Sequence, residues 1–352
     1  MQMIPHNKVG LIAADLRAVE SVLASGWIAQ GPAAQALEAD FVRRFGSGAA
    51  CALSSGTAAL FLALKGLGAG PGESVAVPTY ACSALLNAIF MVGATPRVVD
   101  VRPDDFCLNP DAVMRQAADA RFVIAVHAFG APADVAGLQI RGRRVVEDCC
   151  QALGGETALG GLGTQGEAAV FSFYATKIVT GGQGGLLWSR DPAVAEAARD
   201  YRQFDCRETY VPRFNFQMTD IQAALVNSQM TRLAAIRTRR ATIVGRYLDA
   251  LPPGLTAQAG LGDMGRMVYR CAVLVPDRES REALRAHLTA AGIGCIVPVE
   301  RFELLHRYLN LDPENYPVAE RLADTALSLP LYPALSDAEV EQVCLALQGF
   351  RP

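Results

Sequence analysis

The chain has 352 residues, of which 51% are hydrophobic and 19% charged, and its 35 acidic and 32 basic side chains leave a net charge of −3. This length predicts two globular lobes, and the low, balanced charge excludes a disordered chain or one that coats nucleic acid. No apolar run is long enough for a membrane helix, and the N-terminus lacks the apolar core of a signal peptide. We therefore expect a cytoplasmic protein with no nucleic-acid or membrane partner.

The leading segment predicts a helix that carries Leu16, Val19, Val22 and Leu23 on one face. From about residue 48 to 190, short apolar runs alternate with helix-length segments, which is typical of a doubly wound, mainly parallel α/β sheet. Ligands of such sheets bind beyond the carboxyl ends of the strands. The predicted strands are Ala49–Leu53, Ser74–Val77, Arg97–Val101, Phe122–Val126, Arg144–Glu147, Ala168–Phe173 and Gly185–Trp188.

The remaining residues predict a long helix followed by a smaller α+β lobe. We divide the chain into a large domain, 1–235, which includes the N-terminal helix, and a small domain, 236–352. The predicted elements are a helix from Thr219 to about Leu248, a strand Tyr269–Val275, a helix Arg278–Ala291, a strand near Ile293–Val297 and a helix around Asp337–Gln348.

The use of cysteine and lysine is informative. Nine cysteines occur without CxxC spacing or a neighbouring histidine cluster, so we expect neither a disulfide framework nor a metal site. Lys8, Lys65 and Lys177 are the only lysines, against 29 arginines. Where positive charge alone is needed this chain uses arginine, so a lysine in an unusual place indicates chemistry that needs an amine.

Three motifs fall at ends of predicted strands. Gly56-Thr57 opens a helix, where free backbone N–H groups hold phosphate, although alone it is more typical of an ordinary N-terminal cap. Asp148 ends a buried strand, where its carboxylate needs either a structural cation or a protonated heterocyclic nitrogen. Lys177 follows a buried strand and precedes a glycine-rich turn, where we expect burial to lower its pKa and make a nucleophilic amine. Taken alone, this position is more typical of a lysine that reaches solvent.

The three motifs together predict a site for pyridoxal 5′-phosphate (PLP). The phosphate of PLP needs hydrogen-bond donors, its pyridine nitrogen needs an anion, and its aldehyde needs an amine. Each requirement has one candidate in the chain.

The sequence resembles the DegT/StrS family of PLP-dependent sugar aminotransferases over nearly its whole length. The resemblance implies the type I fold of aspartate aminotransferase and a homodimer with active sites at the subunit interface. The motifs that carry it are Ser25-Gly26-Trp27, Gly56-Thr57-Ala58-Ala59-Leu60, Gly70–Pro78, Val92–Pro96, Glu147-Asp148 with Gln151, Ser172-Phe173 with Lys177, and Leu327–Pro333.

The resemblance also implies roles for individual residues. Lys177 would form the Schiff base and Asp148 would bind the pyridine nitrogen, while Gln151 would contact the ring. Phosphate contacts would come from Gly56, Thr57, Ser172 and, across the dimer, Asn215, which could also be an ordinary turn residue. His127 matches a position near the cofactor, although a buried histidine satisfied by backbone explains it as well. The candidate substrate contacts are His127, Tyr80 and Tyr174. Tyr269-Arg270 could also reach substrate, although a core tyrosine and a surface arginine explain these residues equally well.

Four positions depart from the family pattern. Cys82 stands where an aromatic residue usually stacks on the pyridine ring, and a thiol stacks less well. Gln217 replaces an arginine, Gln183 stands where an acidic residue is common, and residues 292–298 lack a histidine that many members present to substrate. These changes leave the cofactor chemistry intact and leave the substrate open.

We expect a transaminase that moves an amino group from glutamate, through pyridoxamine phosphate, to a keto group of a nucleotide-linked sugar. Alternatives are an aminotransferase for a cyclitol, a non-catalytic PLP-binding regulator, and a PLP-dependent sugar dehydratase. Dehydratases of this family have histidine in place of the lysine, which this chain keeps as Lys177.

Overall fold

A computed structural model describes residues 3–351 and contains two sheets that matter for the site. The strands are β1 (Ala49–Leu53), β2 (Ser74–Pro78), β3 (Thr95–Val99), β4 (Phe122–Val126), β5 (Arg144–Asp148), β6 (Glu156–Thr157), β7 (Gly160–Gly161), β8 (Ala168–Ser172), β9 (Gly185–Ser189), β10 (Thr256–Ala257), β11 (Cys271–Leu274) and β12 (Ala326–Leu329). The helices are α1 (Ala13–Ser25), α2 (Pro32–Phe45), α3 (Gly56–Gly66), α4 (Ala84–Met91), α5 (Pro110–Gln116), α6 (Val135–Leu138), α7 (Pro192–Arg202), α8 (Asp220–Met230), α9 (Leu233–Asp249), α10 (Arg278–Ala290), α11 (Leu305–Tyr308), α12 (Pro317–Thr325) and α13 (Asp337–Gly349).

The large lobe is built on a seven-stranded sheet in the order β1-β9-β8-β5-β4-β2-β3. The strands β3, β2, β4, β5 and β8 run parallel, and β9 is antiparallel to both of its neighbours. Alternate residues of β8 pack on opposite faces, with Ala169 and Phe171 in one core and Ala168 and Val170 in the other. The predicted doubly wound sheet, and with it the type I fold, is confirmed.

The small lobe contains the antiparallel sheet β10-β11-β12 and a third core. The helix α9 joins the lobes, because Leu233 and Ile236 pack in the large lobe while Ile243, Val244 and Tyr247 pack in the small one. The predicted boundary between 235 and 236 falls inside α9, and the division into domains stays a prediction.

Four predicted elements differ from the structure. The predicted long helix of 219–248 is two helices, since α8 ends at Met230 and α9 starts at Leu233. Between them, the Thr231 hydroxyl donates to the Ser228 carbonyl at 2.7 Å. No regular strand covers 293–297, which forms isolated bridges to residues 4 and 328. The strand β3 is shifted by two residues towards the N-terminus, and β11 is shorter than predicted.

Within the described residues, no helix is both long and apolar enough to cross a membrane.

The N-terminal segment contacts both lobes. Ile4 is bonded to the small lobe, since its N–H donates to the Gly292 carbonyl and its carbonyl accepts the N–H of Gly294, both at 2.8 Å. The helix α1 instead packs on α8 of the large lobe. Its buried Asp15 accepts two hydrogen bonds, at 2.7 and 2.6 Å, from Arg232, which stands between α8 and α9.

Candidate active site

The carboxyl ends of the parallel strands open into a cavity of about 260 Å³, the first cavity. This position is the one expected for a ligand site in a doubly wound sheet. The structure brings together most of the predicted site residues, because Gly56, Thr57, Cys82, Asp148, Gln151, Ser172, Tyr174 and Lys177 all line this cavity.

The start of α3 forms one end of the first cavity. Ser55 caps the helix, and its hydroxyl oxygen accepts the N–H of Ala58 at 3.1 Å, which leaves the N–H groups of Gly56 and Thr57 available. A Cβ atom at position 56 would lie only 2.9 Å from that of Ser172, so glycine lets the helix start and the end of β8 approach closely. These N–H groups and the Ser172 hydroxyl are donors that suit a phosphate monoester.

Asp148 supplies a buried carboxylate as the last residue of β5, with 6% of its surface exposed. Its Oδ1 accepts the N–H of Cys150 at 2.9 Å, and no basic side chain among residues 3–351 forms an ion pair with it. A buried carboxylate needs a cationic partner, and a protonated pyridine nitrogen would be one. Nearby, Gln151 Oε1 accepts the N–H of Phe129 at 2.8 Å, which leaves the Gln151 amide NH₂ to donate into the cavity.

Lys177 follows β8 in a turn where its N–H donates to the Tyr174 carbonyl at 2.9 Å. Its Nζ lies 5.2 Å from the centre of the Tyr269 ring. Burial lowers the pKa of the Lys177 amine, but the acidic groups of Tyr269, Cys150 and Asp148 outweigh burial and raise that pKa above its ordinary value. The expected lowering of this pKa was wrong in direction, because the sequence indicates burial without showing the acidic neighbours.

The first cavity fits PLP. Its phosphate end, its carboxylate and its amine are the three groups that the cofactor requires, and all three come from separate strand ends. The close approach at Gly56 makes the phosphate end a narrow cradle that any side chain at this position would obstruct. Cys82 lines the same cavity, so the thiol stands in the wall of the cofactor site.

His127 does not line the cavity, and its prediction as a substrate contact is wrong. The side chain is fully buried, its Nε2 donates to Glu147 at 3.0 Å, and its Nδ1 accepts the N–H of Ala133 at 3.0 Å. Both ring nitrogens are therefore used inside the protein. The side chain of Cys149 lies close to those of His127 and Glu147, so the three have the spacing of metal ligands. Both Glu147 oxygens already accept N–H groups, so this group of residues is a hydrogen-bonded network within the protein.

A second cavity, of about 280 Å³, adjoins the first and shares Cys82, Gln151, Tyr174 and Lys177 with it. Tyr80 lies in its wall with 3% of its surface exposed, whereas Tyr174 is 47% exposed. The second cavity therefore extends from Lys177 towards both predicted substrate residues.

Asn215 lies outside both cavities of its own chain. The residue is exposed, and its Oδ1 accepts the N–H of Gln217 at 3.3 Å. Its predicted contact with the phosphate of a partner subunit stays a prediction.

The small lobe supplies part of the second cavity that sequence reasoning missed. Glu303 and Tyr308 line it, as does Pro298 from the segment that lacks the family's histidine. No motif marks Glu303 or Tyr308, because they come from a short 3-10 turn and from the four-residue helix α11. Tyr269 and Arg270, left open above, also line this cavity.

The chain matches the DegT/DnrJ/EryC1/StrS aminotransferase family over residues 11–348. Among solved structures, it is similar to Spr1654 from Streptococcus pneumoniae in its PMP form, with a TM-score of 0.91 and 27% identity over 98% of this chain and 97% of that chain. The PLP form of Spr1654 superposes with a TM-score of 0.90, at the same identity and with 98% of each chain covered.

Two further structures are similar over almost their full length. The aminotransferase TlmJ from Streptoalloteichus hindustanus has a TM-score of 0.89 and 32% identity over 98% of each chain. The sugar aminotransferase CalS13 from Micromonospora echinospora has a TM-score of 0.87 and 25% identity over 99% of this chain and 100% of that chain.

Proposed function

Because this chain belongs to the DegT/DnrJ/EryC1/StrS aminotransferase family and is a PLP-dependent aminotransferase, we propose that it aminates the keto group of a nucleotide-linked sugar, with glutamate as donor. The observation that carries the proposal is the first cavity, in which Lys177, Asp148 and the start of α3 lie together. The adjoining second cavity gives substrate a place beside Lys177.

The side chains of the first cavity divide the work. Bound PLP supplies an aldehyde that accepts the donor's amino group and a pyridine ring that draws electrons from the donor's α-carbon. Lys177 Nζ holds the cofactor and, once freed, takes the proton from the donor's α-carbon and returns a proton to C4′ of the cofactor. Asp148 keeps the pyridine nitrogen protonated through a charge-assisted hydrogen bond.

The raised pKa of Lys177 fits this cycle. Lys177 leaves its bond to the cofactor as a neutral amine that can take the α-proton, and its raised pKa then favours the protonated form that delivers a proton to C4′. The N–H groups of Gly56 and Thr57, with the Ser172 hydroxyl, retain the cofactor by its phosphate throughout.

The proposal includes a homodimer and a cytoplasmic location. In α1 and the loop after it, Leu16, Leu23, Trp27 and Ile28 are between 50% and 60% exposed, and large apolar side chains exposed close together in sequence support an interface. In the dimer, Asn215 donates to the phosphate bound by the other chain. All nine cysteines are free, which is typical of proteins in a reducing compartment.

Absorbance spectroscopy of the purified enzyme with bound PLP tests the function. Glutamate should abolish the visible absorbance of the lysine-bound cofactor, and a keto-sugar nucleotide should restore it. A panel of keto-sugar nucleotides and keto-cyclitols then identifies the acceptor. An unchanged spectrum with glutamate and with other amino acids would contradict the proposal and favour the non-catalytic regulator. If only a keto-cyclitol restored the absorbance, the acceptor would be a cyclitol and not a nucleotide-linked sugar.

The control is Lys177→Ala, which should take up PLP without the visible band of the lysine-bound form. Lys65→Ala, which removes a lysine that lines neither cavity, should behave as the wild type.

A further inference from the structure

Two residues of the second cavity carry buried polar atoms that have no hydrogen-bond partner in the described chain. They are the hydroxyl of Tyr80 and the Nε and Nη1 atoms of Arg270. Buried polar groups in folded proteins almost always have partners, so three such atoms in the wall of one cavity point to a ligand that supplies acceptors.

The surroundings of Arg270 fix its guanidinium without neutralising it. The Cζ atom lies 5.6 Å from the ring centres of both Phe129 and Tyr269, so the group is held by aromatic faces. No carboxylate among residues 3–351 forms an ion pair with it. Glu303, the acidic residue in the same wall, has an oxygen committed to the N–H of Glu300 at 2.9 Å. The N–H edge of Arg270 is therefore free to bind an anion.

The position of Arg270 relative to Lys177 indicates which part of a substrate it meets. Lys177 Nζ lies 5.2 Å from the ring centre of Tyr269, the same ring that Arg270 contacts. The reactive amine and the free guanidinium thus border one cavity, and both lie close to the same aromatic ring. An amino acid has an amino group that must reach the lysine position and a carboxylate one carbon away, which matches this pair.

We propose that Arg270, with the hydroxyl of Tyr80, binds the α-carboxylate of the amino donor. The planar fork of arginine pairs bidentately with a carboxylate, and the Tyr80 phenol, which lines the same cavity, adds a third donor. Because every amino-acid donor carries this group, the inference rests on the proposed transamination but not on the identity of the donor. A phosphate of the acceptor has similar chemistry, and the experiment separates the two.

The test measures binding to the enzyme with its cofactor bound. The probes are 2-aminoisobutyrate, an amino acid without an α-hydrogen, and tert-butylamine, in which a methyl group replaces the carboxylate. Dissociation constants come from absorbance titration of wild type, Arg270→Gln, Arg270→Lys and Tyr80→Phe. The matched control is Arg278→Gln, an exposed arginine at the start of α10 that lines neither cavity.

Wild type should bind 2-aminoisobutyrate more tightly than tert-butylamine. Arg270→Gln should weaken the binding of 2-aminoisobutyrate by about 10- to 100-fold, the loss expected for hydrogen bonds to a charged group. The dissociation constant of tert-butylamine should not change. Arg270→Lys keeps the charge but loses the planar fork, so its dissociation constant for 2-aminoisobutyrate should lie between those of wild type and Arg270→Gln. Tyr80→Phe should weaken the binding of 2-aminoisobutyrate several-fold. Arg278→Gln should match wild type.

Two results would overturn the inference. One is equal binding of 2-aminoisobutyrate by wild type and Arg270→Gln, with circular dichroism showing both folded. The other is a loss confined to the half-reaction with a keto-sugar nucleotide, which would make Arg270 a contact to the acceptor's phosphate. Failure of glutamate as donor would refute the proposed donor and leave this comparison intact, because the probe is not glutamate.

Discussion

Replacing Glu147 by glutamine should destabilise the protein by about 3–5 kcal/mol, although the side chain keeps its size. Glu147 is fully buried next to Asp148, and its two oxygens accept four hydrogen bonds. Oε1 accepts the N–H groups of Gln165 and Gly166 at 2.7 and 2.6 Å. Oε2 accepts the N–H of Gly163 at 2.9 Å and His127 Nε2 at 3.0 Å.

The magnitude follows from this geometry. Since His127 Nδ1 accepts the N–H of Ala133, the proton of the ring is on Nε2, and all four partners of Glu147 are donors. The amide NH₂ of glutamine would face two of them in either orientation. Two buried donors then lose their acceptor at about 1–3 kcal/mol each, and the other two exchange a charged acceptor for a neutral one.

Equilibrium unfolding in urea, followed by circular dichroism, measures the difference. The matched control is Glu196→Gln, an exposed residue of α7 that forms no ion pair within residues 3–351, and it should change the free energy of unfolding by less than about 0.5 kcal/mol. A Glu147→Gln protein within about 1 kcal/mol of wild type, at an unchanged urea dependence, would refute the reasoning, because it would mean that buried donors tolerate the amide.

Four further predictions concern acid stability, the cavity and the assembly. Burial raises the pKa of Glu147, but its hydrogen bonds from His127 and backbone N–H groups outweigh burial and hold that pKa below the ordinary value. The stability that Glu147 contributes should be present above about pH 4.3 and be lost as pH falls through the lowered pKa. The stability of Glu147→Gln should lack this pH-dependent contribution when acid unfolding is measured. Asp148→Asn should remain folded and slow the glutamate half-reaction by about 100- to 1000-fold in stopped-flow absorbance, and a near-normal rate would make the carboxylate structural. Borohydride reduction and peptide mapping should place the pyridoxyl label on Lys177; a label on Lys65 would rule this assignment out. Mixing Lys177→Ala and Asn215→Ala subunits under exchange should restore activity, since a hybrid dimer keeps one intact site, and no recovery would show that Asn215 acts within its own chain.

The sheet and most residues that line the first cavity were predictable because their signals are local. A strand covered on both faces is a short apolar run, and the residue after it lies at the ligand edge, which is why Asp148 and Lys177 could be identified. The break between α8 and α9 left no such signal, because the apolar spacing continues through Thr231 and Arg232, and Asp15, which binds Arg232 at the break, is distant in sequence.

Long-range contacts also explain the errors at single residues. His127 follows a strand as Asp148 does, but Glu147 on the neighbouring strand captures its ring inside the lobe. The pKa of Lys177 depends on Tyr269, which the small lobe delivers. Sequence position shows that a side chain stands near a site, and only the fold shows what faces it.

The ion pair between Asp15 and Arg232 links the two stretches of chain that connect the lobes. The chain passes between the lobes twice, once between Ile4 and α1 and once along α9. Asp15 lies in α1 and Arg232 directly precedes α9, so their ion pair joins the two connections. The second cavity is lined by Arg270, Glu303 and Tyr308, so its width depends on how the small lobe is held against the sheet. The Asp15–Arg232 ion pair touches none of its walls and contributes to this width only through the chain connections between the lobes.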